Sequence, residues 1–231
     1  MAILRSFQKQ LIGAGVMGVA AVAAASYASA GSVLVDGYGD FPALPFGVTP
    51  STPTTYAVTD TDILPAGTTV TVSIMSDGLA TIFSPSPGVL SLNTPNTATA
   101  SYMFEYELGE TTDFTPYPAF TLNVFDIVDE IDLDYSILLT DAQGDTALYE
   151  DIFSTVGINP PPTSGVLSFF LSGFSVIVGD FDLDMVDSFK ITIEGVPGND
   201  FSINELVVVP TPAAAGFGLA GLALVASRRR R

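Results

Sequence analysis

Tyr102-Met103-Phe104-Glu105-Tyr106-Glu107-Leu108 places a large apolar side chain at every second position, with Met and two Glu between. Two is the side-chain period of an extended chain, so the stretch predicts a β-strand with one face in a core and one in water. The pattern recurs on both sides. Val70, Val72 and Ile74 alternate with Thr69, Thr71 and Ser73, and Phe189, Ile191 and Ile193 alternate with Lys190, Thr192 and Glu194. Phe120, Leu122 and Val124, then Ile131, Leu133, Tyr135 and Ile137, keep the same period. Turn-forming clusters separate these runs, among them Leu64-Pro65-Ala66-Gly67, Ser84-Pro85-Ser86-Pro87-Gly88 and Ala142-Gln143-Gly144-Asp145. No body segment carries a long amphipathic helical pattern. The expected fold is all-β, an antiparallel two-sheet β-sandwich of jelly-roll type, with a closed barrel as the alternative. Asp36 to Thr55 reads as an irregular leading loop, and Asn159-Pro160-Pro161-Pro162 as an exposed extended connection.

Composition excludes much chemistry. The 231 residues include no His, Cys or Trp, which removes Ser-His-Asp and Cys-His nucleophile pairs, ordinary structural zinc clusters and disulfides. Charge is segregated along the chain. Arg5 and Lys9 stand near the start and Arg228, Arg229, Arg230 and Arg231 end the chain. Between them all 25 acids face Lys190 alone, a net of 24 negative charges. Such a body repels nucleic acid and anionic membrane surfaces.

The two ends read as addresses. Residues 1–30 have a short basic start, an apolar run from Leu11 to Ala25 and small residues ending Ala28-Ser29-Ala30, the pattern of a secretory signal peptide cut after Ala30. Gly13-Ala14-Gly15-Val16-Met17-Gly18 matches G-x-G-x-x-G by letter, but it lies inside this signal and follows no strand, so no dinucleotide site is expected. At the other end, Val209-Pro210-Thr211-Pro212 precedes the apolar run Ala213 to Ser227 and the four Arg. As a helix that run would measure about 22 Å, short of a bilayer core.

This order of parts resembles the PEP-CTERM sorting domain of Gram-negative bacteria, over residues 209–231. Thr211 stands where the family's name-giving motif has Glu. The resemblance implies that a membrane-embedded exosortase recognises Pro210-Thr211-Pro212 and cleaves close by, after transient membrane insertion of the C-terminal helix. It further implies release to the cell surface or transfer to an extracellular polymer. The expected organisation is a signal peptide (1–30), an acidic β-sandwich (31–208) and a sorting signal (209–231), flanked by an N-terminal and a short C-terminal helix.

Two acidic rows are candidate cation ligands. Glu130, Asp132 and Asp134 would share one side of an extended chain, as would Asp180, Asp182 and Asp184, and hard carboxylate oxygens suit Ca²⁺. The EF-hand pattern fails at Met185 and Ile191. Tyr38, Tyr56, Tyr117 and Tyr149 lie in or near turns, where an exposed Tyr stacks on a sugar face, but most are expected to be packing residues and no binding site is assigned to them. The expected function is that of an exported, non-enzymatic cell-surface or extracellular-matrix protein with a structural or adhesive role. Its expected partners are the secretion machinery, an exosortase-like enzyme and extracellular polysaccharide. A Ca²⁺-assisted carbohydrate-binding module is the alternative, and a carboxylate-dependent glycoside hydrolase a further one, though nothing singles out an acid pair.

Overall fold

The computed structural model describes residues 32–42, 48–49, 52–128 and 130–210. Their strands, in chain order, begin with β1 (Val33–Asp36), β2 (Thr54–Ala57), β3 (Thr69–Ser76), β4 (Thr81–Ser86) and β5 (Val89–Asn93). Four long strands follow: β6 (Ala100–Thr112), β7 (Ala119–Val128), β8 (Asp132–Asp141) and β9 (Thr146–Ser154). The chain continues through β10 (Ser164–Phe170), a one-turn 3₁₀ helix (Leu171–Gly173), β11 (Ser175–Val178), β12 (Val186–Gly195) and β13 (Asp200–Val209). Two antiparallel sheets result. One runs β10-β7-β13-β5-β4 with β1 also paired to β13, and the other runs β11-β9-β8-β12-β6-β3-β2. The expected sandwich is the observed fold. Val33–Val208 forms one compact unit; the other, residues 1–32 with 209–231, is described only at its inner ends. The expected signal residues Ala28 and Ala30, Thr211 and Pro212 of the expected sorting motif, the Arg cluster and the two expected flanking helices lie outside the described residues.

The period-two reading places the core. Tyr102, Phe104, Tyr106 and Leu108 of β6 are fully buried, as are Val70 and Val72 of β3 and Ile191 and Ile193 of β12. Tyr106 stacks on Phe189 with ring centroids 4.3 Å apart, and Phe114 and Phe120 close on the same ring. Each such side chain contributes about 1.5–3 kcal/mol of burial, which must carry stability in a body with one base.

The leading loop departs from expectation at its start, because Asp36 ends a strand and its carboxyl is sealed in the core. Oδ1 accepts the Tyr38 N–H at 2.7 Å, while Oδ2 accepts the hydroxyls of Tyr106 at 2.9 Å and Tyr56 at 3.1 Å. Burial raises its pKa to about 6 against the opposing effect of these hydrogen bonds. Further along, Asp40 anchors the loop by accepting from Thr59 and from the Asp60 N–H, and these bonds hold its carboxyl below the usual range despite some desolvation.

β10 and β11 are the edge strands of their sheets on one flank, joined by the 3₁₀ turn. The sheets close together there through two glycines. A Cβ on Gly165 would meet the Phe153 ring at 2.3 Å, and one on Gly173 would meet the Tyr149 ring at 2.7 Å. The Tyr135 hydroxyl reaches from β8 to the Ser168 carbonyl at 3.3 Å.

Candidate functional site

The outward residues of the seven-stranded sheet form a polar face. Register sets its composition: Glu194 of β12 lies between Asp134 of β8 and Ser101 of β6, while Thr192 lies between Ser136 and Met103. On β9, Ile152 pairs with Asp134 and Glu150 with Ser136. Two depressions of about 690 Å³ and about 510 Å³ share Asp134 and Glu194, and together make one open trough crossing β3, β6, β12, β8 and β9. At the usual strand spacing this is about 19 Å of surface.

One end of the trough has Met75, Asp77 and Ser101, the middle has Thr192, Glu194, Asp132 and Asp134, and the far end has Ser136, Glu150 and Ile152. Asp151 also borders it, held from beneath by the hydroxyls of Tyr149 at 3.0 Å and Tyr135 at 3.3 Å. Lys190, outward on β12 as its alternation predicts, is taken by Glu105 at 3.9 Å and does not line the trough. Carboxylates can accept hydrogen bonds from several hydroxyls at once, and Ser and Thr both donate and accept. Such a surface suits a hydroxyl-rich, uncharged chain and disfavours an anionic one.

The two candidate cation rows are treated differently by the fold. Asp132 and Asp134 do share the outer face of β8, but Glu130 precedes the strand and accepts the Gly157 N–H at 3.2 Å. Asp180, Asp182 and Asp184 do not form a row, because the chain turns at Asp182 to Met185, where the Met185 N–H meets the Asp182 carbonyl at 3.2 Å. Asp141 and Asp145 fasten that loop. Asp141 accepts the N–H groups of Gln143, Asp145 and Asp182, each at 2.9 Å, and Asp145 accepts that of Asp180 at 3.0 Å. Desolvation pushes Asp141 up, but the N–H groups of Asp182, Asp145, Gln143 and Gly144 outweigh it and hold the carboxyl below its usual range. Asp184 is raised by its hydrogen bond to Asp182 and by repulsion from it.

Asp134 pairs near one end of β12 and the 180–184 loop leads into the other, so the two groups stand about 30 Å apart along the strand. Among the described residues no three acids gather in a way that could hold a metal ion. The turn tyrosines do not offer sugar platforms: Tyr38, Tyr56 and Tyr149 are buried and Tyr117 packs against the core.

Sequence reasoning missed the trough as a unit, because it joins residues of five strands whose order no local pattern specifies. The outward Thr192 and Glu194 were legible as the polar phase of β12 and Asp134 as that of β8, but the pairing that sets Asp134 and Ser101 on either side of Glu194 was not.

Val209 ends β13 and Pro210 follows it. Among the described residues no helix is long and apolar enough to cross a membrane.

No family model matches the chain and no curated protein matches it. Solved structures with similar folds include a family 11 carbohydrate-binding module from Clostridium thermocellum, at 12% identity over 79% of this chain and 98% of that one, with a TM-score of 0.40. A carbohydrate-binding module, CBM28, specific for non-crystalline cellulose is 8% identical over 57% of this chain and 82% of its own, with a TM-score of 0.42. An agarase, AgWH50C, is 11% identical over 61% of this chain and 23% of that one, also with a TM-score of 0.42. None of these likenesses is strong enough to assign a function.

Proposed function

We propose that this chain is an exported surface or matrix protein whose β-sandwich binds a neutral polysaccharide along the trough of the seven-stranded sheet. The observation that carries the reading is the trough itself, an open path across five strands lined by hydroxyls and hydrogen-bond-accepting carboxylates, without a lining base. Its openness suits passage of a polymer, and it gives no water-excluded pocket in which two acids could be set apart for hydrolysis. Binding without cleavage is therefore the chemistry it supports. The apolar Met75 and Ile152, 66% and 62% exposed, give the ends of the path surfaces for the C–H faces of sugar rings. The acids of the trough are set along neighbouring strands, and among the described residues no three acids gather to hold a metal ion, so the binding proposed is independent of Ca²⁺.

The test is affinity electrophoresis through gels containing neutral or anionic polysaccharides, with and without chelator. Neutral polymers should retard the protein equally in both conditions, and anionic polymers should not. Failure of every neutral polymer to retard it would remove the proposal, and retardation lost on chelation would show a metal-dependent site instead.

Export and sorting form the second half of the proposal and rest on the sequence of the two ends. Removal of residues 1–30, cleavage near Pro210-Thr211-Pro212 by an exosortase-like enzyme and passage to the surface or matrix would give a mature chain made of the sandwich alone. Intact-mass measurement on protein recovered from its native host should find both ends removed. A chain that retains Arg228 to Arg231 would instead be a tethered protein.

A further inference from the structure

The trough carries a regular row of side chains. Met75 pairs with Ser101, Ser101 with Glu194, Glu194 with Asp134 and Asp134 with Ile152, an unbroken series from β3 through β6, β12 and β8 to β9. All five line the trough. Each strand therefore offers one outward side chain to the path, and neighbours in the row stand one strand spacing, about 4.8 Å, apart. The row is apolar at its two ends, where Met75 and Ile152 are largely exposed, and hydrogen-bonding at its three middle positions. Beyond the strand ends the path is bordered by Asp77 and Thr99, joined by the Thr99 N–H donating to the Asp77 carboxylate at 2.8 Å.

We infer that the trough takes a single extended chain of pyranose rings, linked as in a β-1,4 polymer, with one ring over each of the five strands. The inference rests on the polysaccharide binding proposed above and adds the shape of the ligand to it. In an extended 1,4-linked chain successive rings advance by about one strand spacing, so rings and side chains keep step along the whole row. In a coiled chain each ring advances by much less, and its hydroxyls fall out of register with the row after one or two strands.

The chemistry of the row matches the chemistry of such a chain. The three middle rings present hydroxyls to Ser101, Glu194 and Asp134, which accept them, and the two end rings lay C–H faces on Met75 and Ile152. A stiff, extended chain also loses less conformational freedom than a flexible one on lying straight across the sheet. Neighbouring strands turn by about 20–25°, so the outward direction rotates along the row. A single chain can follow that rotation, whereas the flat face of a packed polymer meets only part of the row.

Calorimetric titration of the full chain with oligosaccharides of two to seven rings tests this. One set is extended, β-1,4-linked glucose and mannose oligomers, and the other coils, α-1,4-linked glucose oligomers. Affinity for an extended series should rise by about threefold or more per ring, the worth of one net hydrogen bond, and level off at five rings. The coiled series should bind at least about tenfold more weakly at five rings, the loss of more than one such bond. Ile152→Ala removes one end of the row at a side chain 62% exposed, and should bring the plateau down to four rings. Near-ultraviolet circular dichroism checks that the variant is folded. Equal or tighter binding of the coiled series would overturn the inference, as would a plateau at two or three rings or an unchanged length dependence in Ile152→Ala. Gel retardation by neutral polymers without binding of either extended series would overturn it and leave the polysaccharide reading standing. Failure of every neutral polymer in the gels would instead remove that reading and the inference with it.

Discussion

Replacing Asp36 with Asn should change the pH dependence of stability in a defined direction. Asp36 is sealed beneath Tyr38, Tyr56 and Tyr106, and burial raises its pKa to about 6 from an ordinary value of 3.8. Below the ordinary value, both folded and unfolded chains hold the proton and the site imposes no ionisation cost. Between the two values only the folded chain holds it, so stability falls as pH rises. Above about 6 both forms are ionised and the loss is complete. The difference between the two pKa values corresponds to about 3 kcal/mol. Asn keeps an oxygen for the Tyr38 N–H and an amide that can donate to a tyrosine hydroxyl, but it does not titrate. The assay is urea unfolding of wild type and Asp36→Asn at intervals from pH 4 to pH 7. Every other acid titrates in both proteins, so the difference between the curves isolates this one. Asp36→Asn should gain about 2 kcal/mol on wild type between pH 4 and pH 7, the rest of the difference falling below pH 4. Parallel curves would refute the reasoning, for they would mean that Asp36 ionises in the folded chain as easily as in water.

The glycine contact on the flank supplies a second expectation. Gly165→Ala must displace the Phe153 ring that its Cβ would meet at 2.3 Å, and should cost about 1–3 kcal/mol in the same unfolding assay. A third comes from charge. The melting temperature should rise between about 10 mM and 500 mM NaCl as repulsion among the acids is screened. Lys190→Gln, which deletes the half-exposed pair with Glu105, should change stability by less than about 1 kcal/mol.

Much of the fold was legible because burial in a sandwich is itself periodic. The buried phase of β3, β6, β7, β8 and β12 is the one read from the alternation around Tyr102, Val70, Phe120, Leu133 and Phe189. Strand order was not legible. Nothing local in Asp134 or Glu194 announces that the two will be neighbours, since a partner is chosen by the sum of contacts across both sheets. The acidic rows failed for a related reason: alternate spacing puts side chains on one face only if the chain is extended. Asp132 and Asp134 sit in β8, but the turn at Asp182 breaks the second row. Asp36 was hidden because a charge in sequence reads as surface, and its burial is made tolerable by the Tyr38 N–H beside it and by the hydroxyls of Tyr56 and Tyr106, which come from distant segments.

The trough is tested most directly at its centre. Thr192 projects from β12 between Ser136 and Met103, where an arginine would fill the path and bridge to Asp134 and Glu194. Thr121 projects from β7 on the outer face of the other sheet and serves as control. Calorimetric titration of each variant with the neutral polysaccharide that retards the wild-type protein should show binding lost in Thr192→Arg and kept in Thr121→Arg. Undiminished binding by a folded Thr192→Arg variant would place the polysaccharide elsewhere and contradict the account.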